Sequence, residues 1–191
     1  MEHFSKIPAA LWENQFNLFD SHDTARLHNN PKITKEAYRG AVIFQFLLPG
    51  APSIYYGDEA EIDGTLESME GCRYPMPWNK DFKNTENYRL YKKMISLRSE
   101  KNVLRNGSFR FIYSEGRISA FTRFDENSVF VGIISTEEKD RKIKLSLGDL
   151  GAKSLGKEIF GSPFVYEKTE NGEIELEVKA GSSCLFECEM K

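Results

Sequence analysis

The sequence predicts an α/β segment followed by an all-β domain. In the first hundred residues short apolar runs alternate with amphipathic helical patterns, whereas from about Val103 polar and apolar residues alternate with a period of two. We therefore assign residues 1–101 to the α/β part and residues 102–191 to an antiparallel β-sandwich. We expect the sandwich to fold independently.

Two strand–helix units are expected in the α/β part. Threonines stand where helix N-caps are favoured, and Pro49-Gly50 ends the first helix. A long irregular loop, residues 60–84, separates the second strand from its helix. The predicted elements are a strand at 15–20, a helix from Thr34 to about Leu48, a strand at 53–56 and a helix from Thr85.

The second part contains seven candidate strands, separated by residues that favour turns. Asn171-Gly172 is the strongest of these turn signals and predicts a two-residue hairpin. The expected strands are Phe109–Tyr113, Ile118–Phe124, Ser128–Ile134, Arg141–Leu147, Phe164–Glu167, Glu173–Val178 and Cys184–Glu189.

Composition excludes several classes of function. A formal net charge of −3 without a block of basic residues argues against a nucleic-acid partner. No apolar run is long enough to span a bilayer, so we expect no membrane partner and a cytoplasmic location. The three cysteines form neither a disulfide framework nor a metal-ligand spacing, so we expect no cofactor and no metal.

Polar side chains follow both predicted strands. Asp20, His22 and Asp23 end the first strand, and Asp58 and Glu59 follow the second. In α/β proteins ligands are bound at the carboxyl ends of parallel strands. The same residues also fit a simple turn in which Asp23 caps the segment that follows, and both interpretations stay open at this point.

The long loop adds an arginine and aromatic rings, Arg73, Tyr74 and Trp78. Carboxylates, an imidazole and a guanidinium can hydrogen-bond sugar hydroxyls, and aromatic rings can stack on the apolar faces of a sugar. The composition therefore suits a carbohydrate site. We assign Tyr55 and Tyr56 to packing and His28 to solvent.

Three segments resemble, in order, signatures of the α-amylase family of glycoside hydrolases (family 13). They are FNLFDSHDT at 16–24, PGAPSIYYGDE at 49–59 and CRYPMPW at 72–78. The resemblance is strongest to the branch of neopullulanases, cyclomaltodextrinases and maltogenic amylases, and it covers essentially the whole chain.

This resemblance implies the seventh and eighth strands and helices of a (β/α)8 barrel, followed by the C-terminal β-sandwich of the family. It also implies a retaining hydrolase of α-1,4 or α-1,6 glucosidic bonds. Asp23 would grip the 2- and 3-hydroxyls of the sugar and stabilise the transition state, and His22 would hydrogen-bond the same ring. Arg73 would contact the glycan, and Arg26 would bind substrate or brace Asp23.

The resemblance also limits what this chain can do alone. In the family the nucleophile and the general acid come from the fourth and fifth barrel strands, which are not in this sequence. We therefore expect the fragment to be inactive and to act on α-glucan or maltooligosaccharide only within a longer parent. We also expect it either to self-associate through its open strand edges or to leave residues 1–80 poorly ordered. The alternatives are a non-catalytic glycan-binding or interaction module and an inactive amylase-like scaffold.

Overall fold

A computed structural model of the chain describes residues 6, 8–161, 165–168 and 172–191, with residues 165–168 described by their main chain only. In the described chain the α-helices all end by Asn106, and the two larger β-sheets follow them. The first elements are α1 (Ala9–Trp12), β1 (Phe16–Asn17), α2 (Lys35–Leu47), β2 (Ala51–Pro52), α3 (Glu86–Glu100) and α4 (Asn102–Asn106).

β1 and β2 pair in parallel over two residues each. β1 lies within the predicted strand 15–20, whereas the strand predicted at 53–56 is wrong in position, because β2 ends at Pro52. In the described part of the chain these two strands pair only with each other. The residues next to them therefore have no further strand to pair with. The side chain of Gln45 on α2 then ties the two strands together. Its Nε2 donates to the carbonyl of Asn17 at 2.7 Å and to that of Ser53 at 3.0 Å.

The threonine caps of both long helices are confirmed. The hydroxyl of Thr34 accepts the backbone N–H of Ala37 at 3.1 Å, and that of Thr85 accepts the N–H of Tyr88 at 3.2 Å. Each cap satisfies an N–H group that has no partner within the helix. The starts of α2 and α3 are therefore encoded locally in the sequence.

The second part of the chain is a sandwich of two antiparallel sheets. One sheet has the strand order β3-β4-β5-β10-β7 and the other the order β6-β9-β8. The strands are β3 (Ser108–Glu115), β4 (Ile118–Phe124), β5 (Val129–Ser135), β6 (Arg141–Ser146), β7 (Ala152–Gly161), β8 (Val165–Lys168), β9 (Glu173–Val178) and β10 (Ser183–Met190).

All seven predicted strands are confirmed to within two residues at each end, although Phe164 lies outside the described residues. The hairpin signal is partly untested because Asn171 is also outside them, but β8 and β9 do pair antiparallel. β7 was not predicted. Its burial does not alternate, and its register against β10 shifts in several places, so no period of two is present to find.

The five-stranded sheet is the middle layer of the molecule. Along β5 the side chains of Val129, Phe130 and Val131 are all fully buried, so the sheet is covered on both faces. One face packs on the three-stranded sheet and the other on α2 and α3. The residues of this second core are Tyr38, Val42, Ile43, Phe46, Leu47, Leu90, Tyr91, Met94, Leu97, Val103, Leu104, Phe121, Phe130 and Leu185.

Helix α2 lies very close to the sheet because Gly40 has no side chain. A Cβ atom at this position would lie 2.8 Å from Cγ1 of Ile134, which real structures do not tolerate. Next to this contact, the ring of Phe44 packs against those of Phe109, Phe111 and Phe121, with centroids 4.8 Å apart for Phe44 and Phe121. The expected independence of the sandwich is therefore not supported, because an isolated sandwich would expose fully buried aromatic rings.

The expectations drawn from composition concerned the cysteines, membrane spans and metal ligands. Cys72, Cys184 and Cys188 are buried free thiols. Within the described ranges, no helix is long and apolar enough to cross a membrane, and no group of three or more His, Cys, Asp or Glu side chains is placed to hold a metal ion.

Replacing Phe44 with alanine should destabilise the whole chain, because it removes the ring that joins α2 to the sheet. We expect the free energy of unfolding to fall by about 3 kcal/mol, a typical cost of deleting a packed phenylalanine. Denaturant unfolding measures it, with Ile95→Ala as the control because Ile95 is 50% exposed. Equal losses in the two variants would contradict the shared core.

Candidate active site

A tight turn follows β1 and presents the first polar cluster. The backbone N–H of Ser21 donates to the hydroxyl of Thr24 at 2.9 Å, and the Ser21 hydroxyl accepts the N–H of Asp23 at 3.1 Å. The turn is thus closed by Ser21 and Thr24. The carboxylate of Asp23 does not cap the following segment and is left to interact with other side chains, so the ligand-site interpretation stays a prediction.

Asp23 is bracketed by two basic side chains. Its Oδ2 lies 3.0 Å from Nε2 of His22, and its Oδ1 accepts a hydrogen bond from Nη2 of Arg73 at 3.1 Å. All three side chains are more than half exposed. The structure thus brings together Asp23, His22 and Arg73, three of the four residues expected at the site, although Arg73 is fifty positions from Asp23 in the sequence.

This arrangement leaves Asp23 able to bind hydroxyl groups. An ionised carboxylate offers about four acceptor positions, and the two basic side chains occupy one on each oxygen. The remaining positions can accept hydrogen bonds from two neighbouring hydroxyls of one sugar. Exposed ion pairs of this kind contribute only about 0–1 kcal/mol to stability, so the cluster is open for a ligand rather than essential for the fold.

Arg26 is placed differently from the expectation. Its guanidinium is completely buried, with Nη1 2.6 Å from Oδ1 of Asp58 and Nη2 donating to the carbonyl of Tyr56 at 2.8 Å. Its backbone N–H donates to the carbonyl of Gly64 at 3.0 Å. The expected roles of Arg26 in binding substrate or bracing Asp23 are therefore not supported, because the side chain is sealed beneath the site and paired with Asp58.

Sequence reasoning also missed the part played by Asp20. This side chain is buried, and its Oδ1 accepts the backbone N–H of Leu27 at 2.8 Å. Burial, and secondly the negative charge of Asp20, raise the pKa of Asp58, while Arg26 opposes the rise. Asp20, Asp58 and Arg26 form a buried group of ionisable side chains. The only signal for it in the sequence is that two acidic residues and one basic residue follow the two predicted strands.

Other residues singled out in the sequence make contacts within the fold. The Glu59 carboxylate accepts the N–H of Gly57 at 2.9 Å and closes the turn after β2. Trp78 is 76% exposed and its ring contacts Phe82. His28 is half-buried rather than in solvent, its ring meets Tyr38 edge-on, and burial lowers its pKa.

Known proteins share both the sequence and the fold. The chain is 34% identical over 143 residues to a cyclomaltodextrinase of Bacillus sp, covering 74% of this chain and 25% of the relative. It is 38% identical over 92 residues to an intracellular maltogenic amylase of Bacillus subtilis, covering 48% of this chain and 15% of that protein. No family model matches the chain.

The fold matches a solved structure of the native debranching enzyme of Nostoc punctiforme with a TM-score of 0.83 and 24% identity, covering 97% of this chain and 38% of that one. Together these matches define a carbohydrate-active glycoside hydrolase fold. The chain belongs to the α-amylase family, glycoside hydrolase family 13, with the cyclomaltodextrinases, neopullulanases and maltogenic amylases. It spans about a quarter of the length of the cyclomaltodextrinase it matches.

Asp20→Asn should weaken a pH dependence of stability, because burial, the larger cause of the raised pKa of Asp58, remains in the variant. The pKa of Asp58 is raised to about 8 in the folded chain, so the stabilisation from its protonated form is present below its unfolded pKa and is lost as pH rises towards about 8. Without the Asp20 charge, we expect this loss to shrink. From pH ~6.5 to ~8, wild type should lose about 1 kcal/mol relative to the variant in denaturant unfolding.

Because the Asp20 charge also raises the pKa of His28, the same pair of proteins is compared in a His28→Gln background, where that contribution is absent. Parallel stability curves for the two proteins over this range would contradict the coupling of the two aspartates.

Proposed function

We propose that this chain is the C-terminal part of a retaining glycoside hydrolase that cleaves α-1,4 or α-1,6 glucosidic bonds, and that its first part supplies the last two strand–helix units of a (β/α)8 barrel. The observation that carries the proposal is the cluster of His22, Asp23 and Arg73 at the end of β1. Its place at a strand's carboxyl end is where such barrels bind their ligands.

The α/β part supports a place in a larger barrel. β1 and β2 run parallel, and each is followed by a helix along the chain. Phe16 and Leu18 are 76% and 51% exposed, which is unusual for large apolar residues in and beside a strand. Further barrel strands would cover these side chains. In the isolated chain the same face would favour self-association.

Asp23 would act through charge and orientation. Glycoside hydrolysis passes through a transition state with oxocarbenium character, and a carboxylate fixed near the sugar stabilises that positive charge. The free acceptor positions of Asp23 would hold two hydroxyls of the ring. His22 and Arg73 would keep the carboxylate turned towards the ligand and hydrogen-bond the glycan themselves.

Two further carboxyl groups are needed for catalysis. A retaining glycosidase uses a nucleophile and an acid about 5–5.5 Å apart across the bond that is cleaved. Asp20 and Asp58 are buried and engaged with Leu27 and Arg26, so neither is available to a sugar. The family resemblance assigns both catalytic roles to other strands of the parent, so this chain alone would not hydrolyse glucan.

A non-catalytic glycan-binding module is the second candidate. It is favoured by the fact that the cluster is assembled within this chain and is open to solvent. A cytoplasmic location is also part of the proposal. It is supported by the three buried free thiols and by the likeness to a maltogenic amylase named as intracellular.

The full-length protein that carries this chain should release reducing ends from cyclodextrin, pullulan or maltotriose, and Asp23→Asn should lower kcat by about 100- to 1,000-fold. The substitution keeps the size of the side chain and removes the charge that stabilises the transition state. Steady-state kinetics measure the loss.

The matched control is Asp149→Asn, which removes an exposed carboxylate paired with Arg110 in the sandwich and should leave kcat unchanged. Absence of hydrolysis by the wild-type parent on all three substrates would overturn the enzyme assignment. Maltotriose binding by the 191-residue chain in that case, lost in Asp23→Asn, would favour the binding module.

A further inference from the structure

Two tyrosine hydroxyls hold the main chain on either side of Arg73. The hydroxyl of Tyr55 donates to the carbonyl of Cys72 at 3.1 Å, and that of Tyr56 donates to the carbonyl of Tyr74 at 2.8 Å. The two tyrosines are adjacent in the sequence, and the two carbonyls flank Arg73. The pair of hydrogen bonds therefore spans the one residue whose guanidinium contacts Asp23.

The rings that carry these hydroxyls are fixed from below. Their centroids are 4.7 Å apart in an edge-to-face arrangement, and the guanidinium carbon of Arg26 lies 4.6 Å from the centroid of Tyr55 and 5.4 Å from that of Tyr56. Arg26 also binds the carbonyl of Tyr56. The hydroxyls are thus placed by a buried cation that hydrogen-bonds through both of its Nη atoms.

The chain before Arg73 contributes mostly short-range contacts. The Arg73 N–H donates to the carbonyl of Glu70 at 3.2 Å, and the Ser68 hydroxyl reaches the carbonyl of Gly71. Met69, in the same loop, is 99% exposed. Such contacts shape the loop itself, and the tie from this stretch to the buried group is a long hydrogen bond of 3.5 Å from Nη2 of Arg26 to the carbonyl of Cys72.

We propose that Tyr55 and Tyr56 are positioning residues, whose hydroxyl groups hold Arg73 against Asp23 and so shape the glycan-binding cluster. The proposal rests on the proposed function of that cluster. Packing alone does not explain the two residues, since phenylalanine would make the same ring contacts. Of the groups on the two rings, only the hydroxyls reach the carbonyls of Cys72 and Tyr74, and at Cys72 the Tyr55 bond of 3.1 Å is shorter than the 3.5 Å bond from Nη2 of Arg26.

The double variant Tyr55→Phe/Tyr56→Phe tests this in the 191-residue chain. The side-chain Nε–H signals of arginines are resolved by NMR under mildly acidic conditions, and their ¹⁵N relaxation reports motion of the guanidinium. We expect the Arg73 signal to become as mobile as that of the exposed Arg117, while the buried Arg26 signal stays rigid. The single variants should show intermediate effects.

Tyr113→Phe is the matched control. It removes a hydroxyl that binds the Glu115 carboxylate at 3.0 Å in the sandwich, and it should leave Arg73 unchanged. An Arg73 signal that stays rigid in the double variant would overturn the proposal. Loss of rigidity at both Arg73 and Arg26 would also overturn it, because the tyrosines would then support the fold as a whole.

Kinetics of the full-length protein test the consequence for function. A misplaced Arg73 should lower kcat/KM by about tenfold, with Tyr113→Phe as active as wild type. Unchanged kcat/KM together with a mobile Arg73 would overturn the role in glycan binding. If the wild-type protein shows no hydrolysis, the proposed function fails, and the relaxation measurement alone decides whether the tyrosines position Arg73.

Discussion

The buried guanidinium of Arg26 is the interaction on which the end of the α/β part depends. A cation without water needs hydrogen-bond partners from the protein, and here those of its two Nη atoms come from segments that are distant in the sequence: the Asp58 side chain and the carbonyl of Tyr56. Removing one partner of such a buried pair typically costs about 3–5 kcal/mol. The need to pair Arg26 therefore draws the segment after β2 back over the end of β1.

Gly64 shows how closely this segment wraps the arginine. A Cβ atom there would lie 3.0–3.1 Å from three atoms of the Arg26 side chain, and the Gly64 carbonyl accepts the Arg26 N–H. Asp20 completes the buried group by binding the main chain just after Arg26, at Leu27. The loop that begins here leads on to Arg73, so the buried charges fix both sides of the open cluster.

How much the sequence predicts depends on how local the determining interaction is. The caps of Thr34 and Thr85 act within one helical turn, and the predicted helix starts are confirmed. The cluster of His22, Asp23 and Arg73 was also expected, although its residues were brought together by family resemblance rather than by periodicity. The burial of Arg26 was missed because its main partner, Asp58, is thirty-two residues away, and nothing in the spacing shows which charge is enclosed.

The sandwich illustrates the same limit. Polar and apolar residues alternate in most of its strands, and this alternation locates them. Residues 129–134, VFVGII, are instead a continuous apolar run, which is typical of a strand buried on both faces. A third layer was not predicted from this run, and the structure supplies it as α2 and α3. This layer can form because α2 comes close to the sheet where Gly40 meets Ile134. The periodicity of the sequence does not show which helix residue lies at such a close contact.

The exposed and the buried residues around Asp23 have different roles. The exposed pairs around Asp23 are individually weak, so a ligand or solvent could rearrange them at little cost unless the main chain beneath them is fixed. That main chain is held by the buried group of Arg26 and by α2, whose Gln45 binds the carbonyls of both parallel strands. The rigidity of the proposed sugar-binding cluster is therefore supplied by buried residues beneath it, and the shared core extends that support to the sheets of the sandwich.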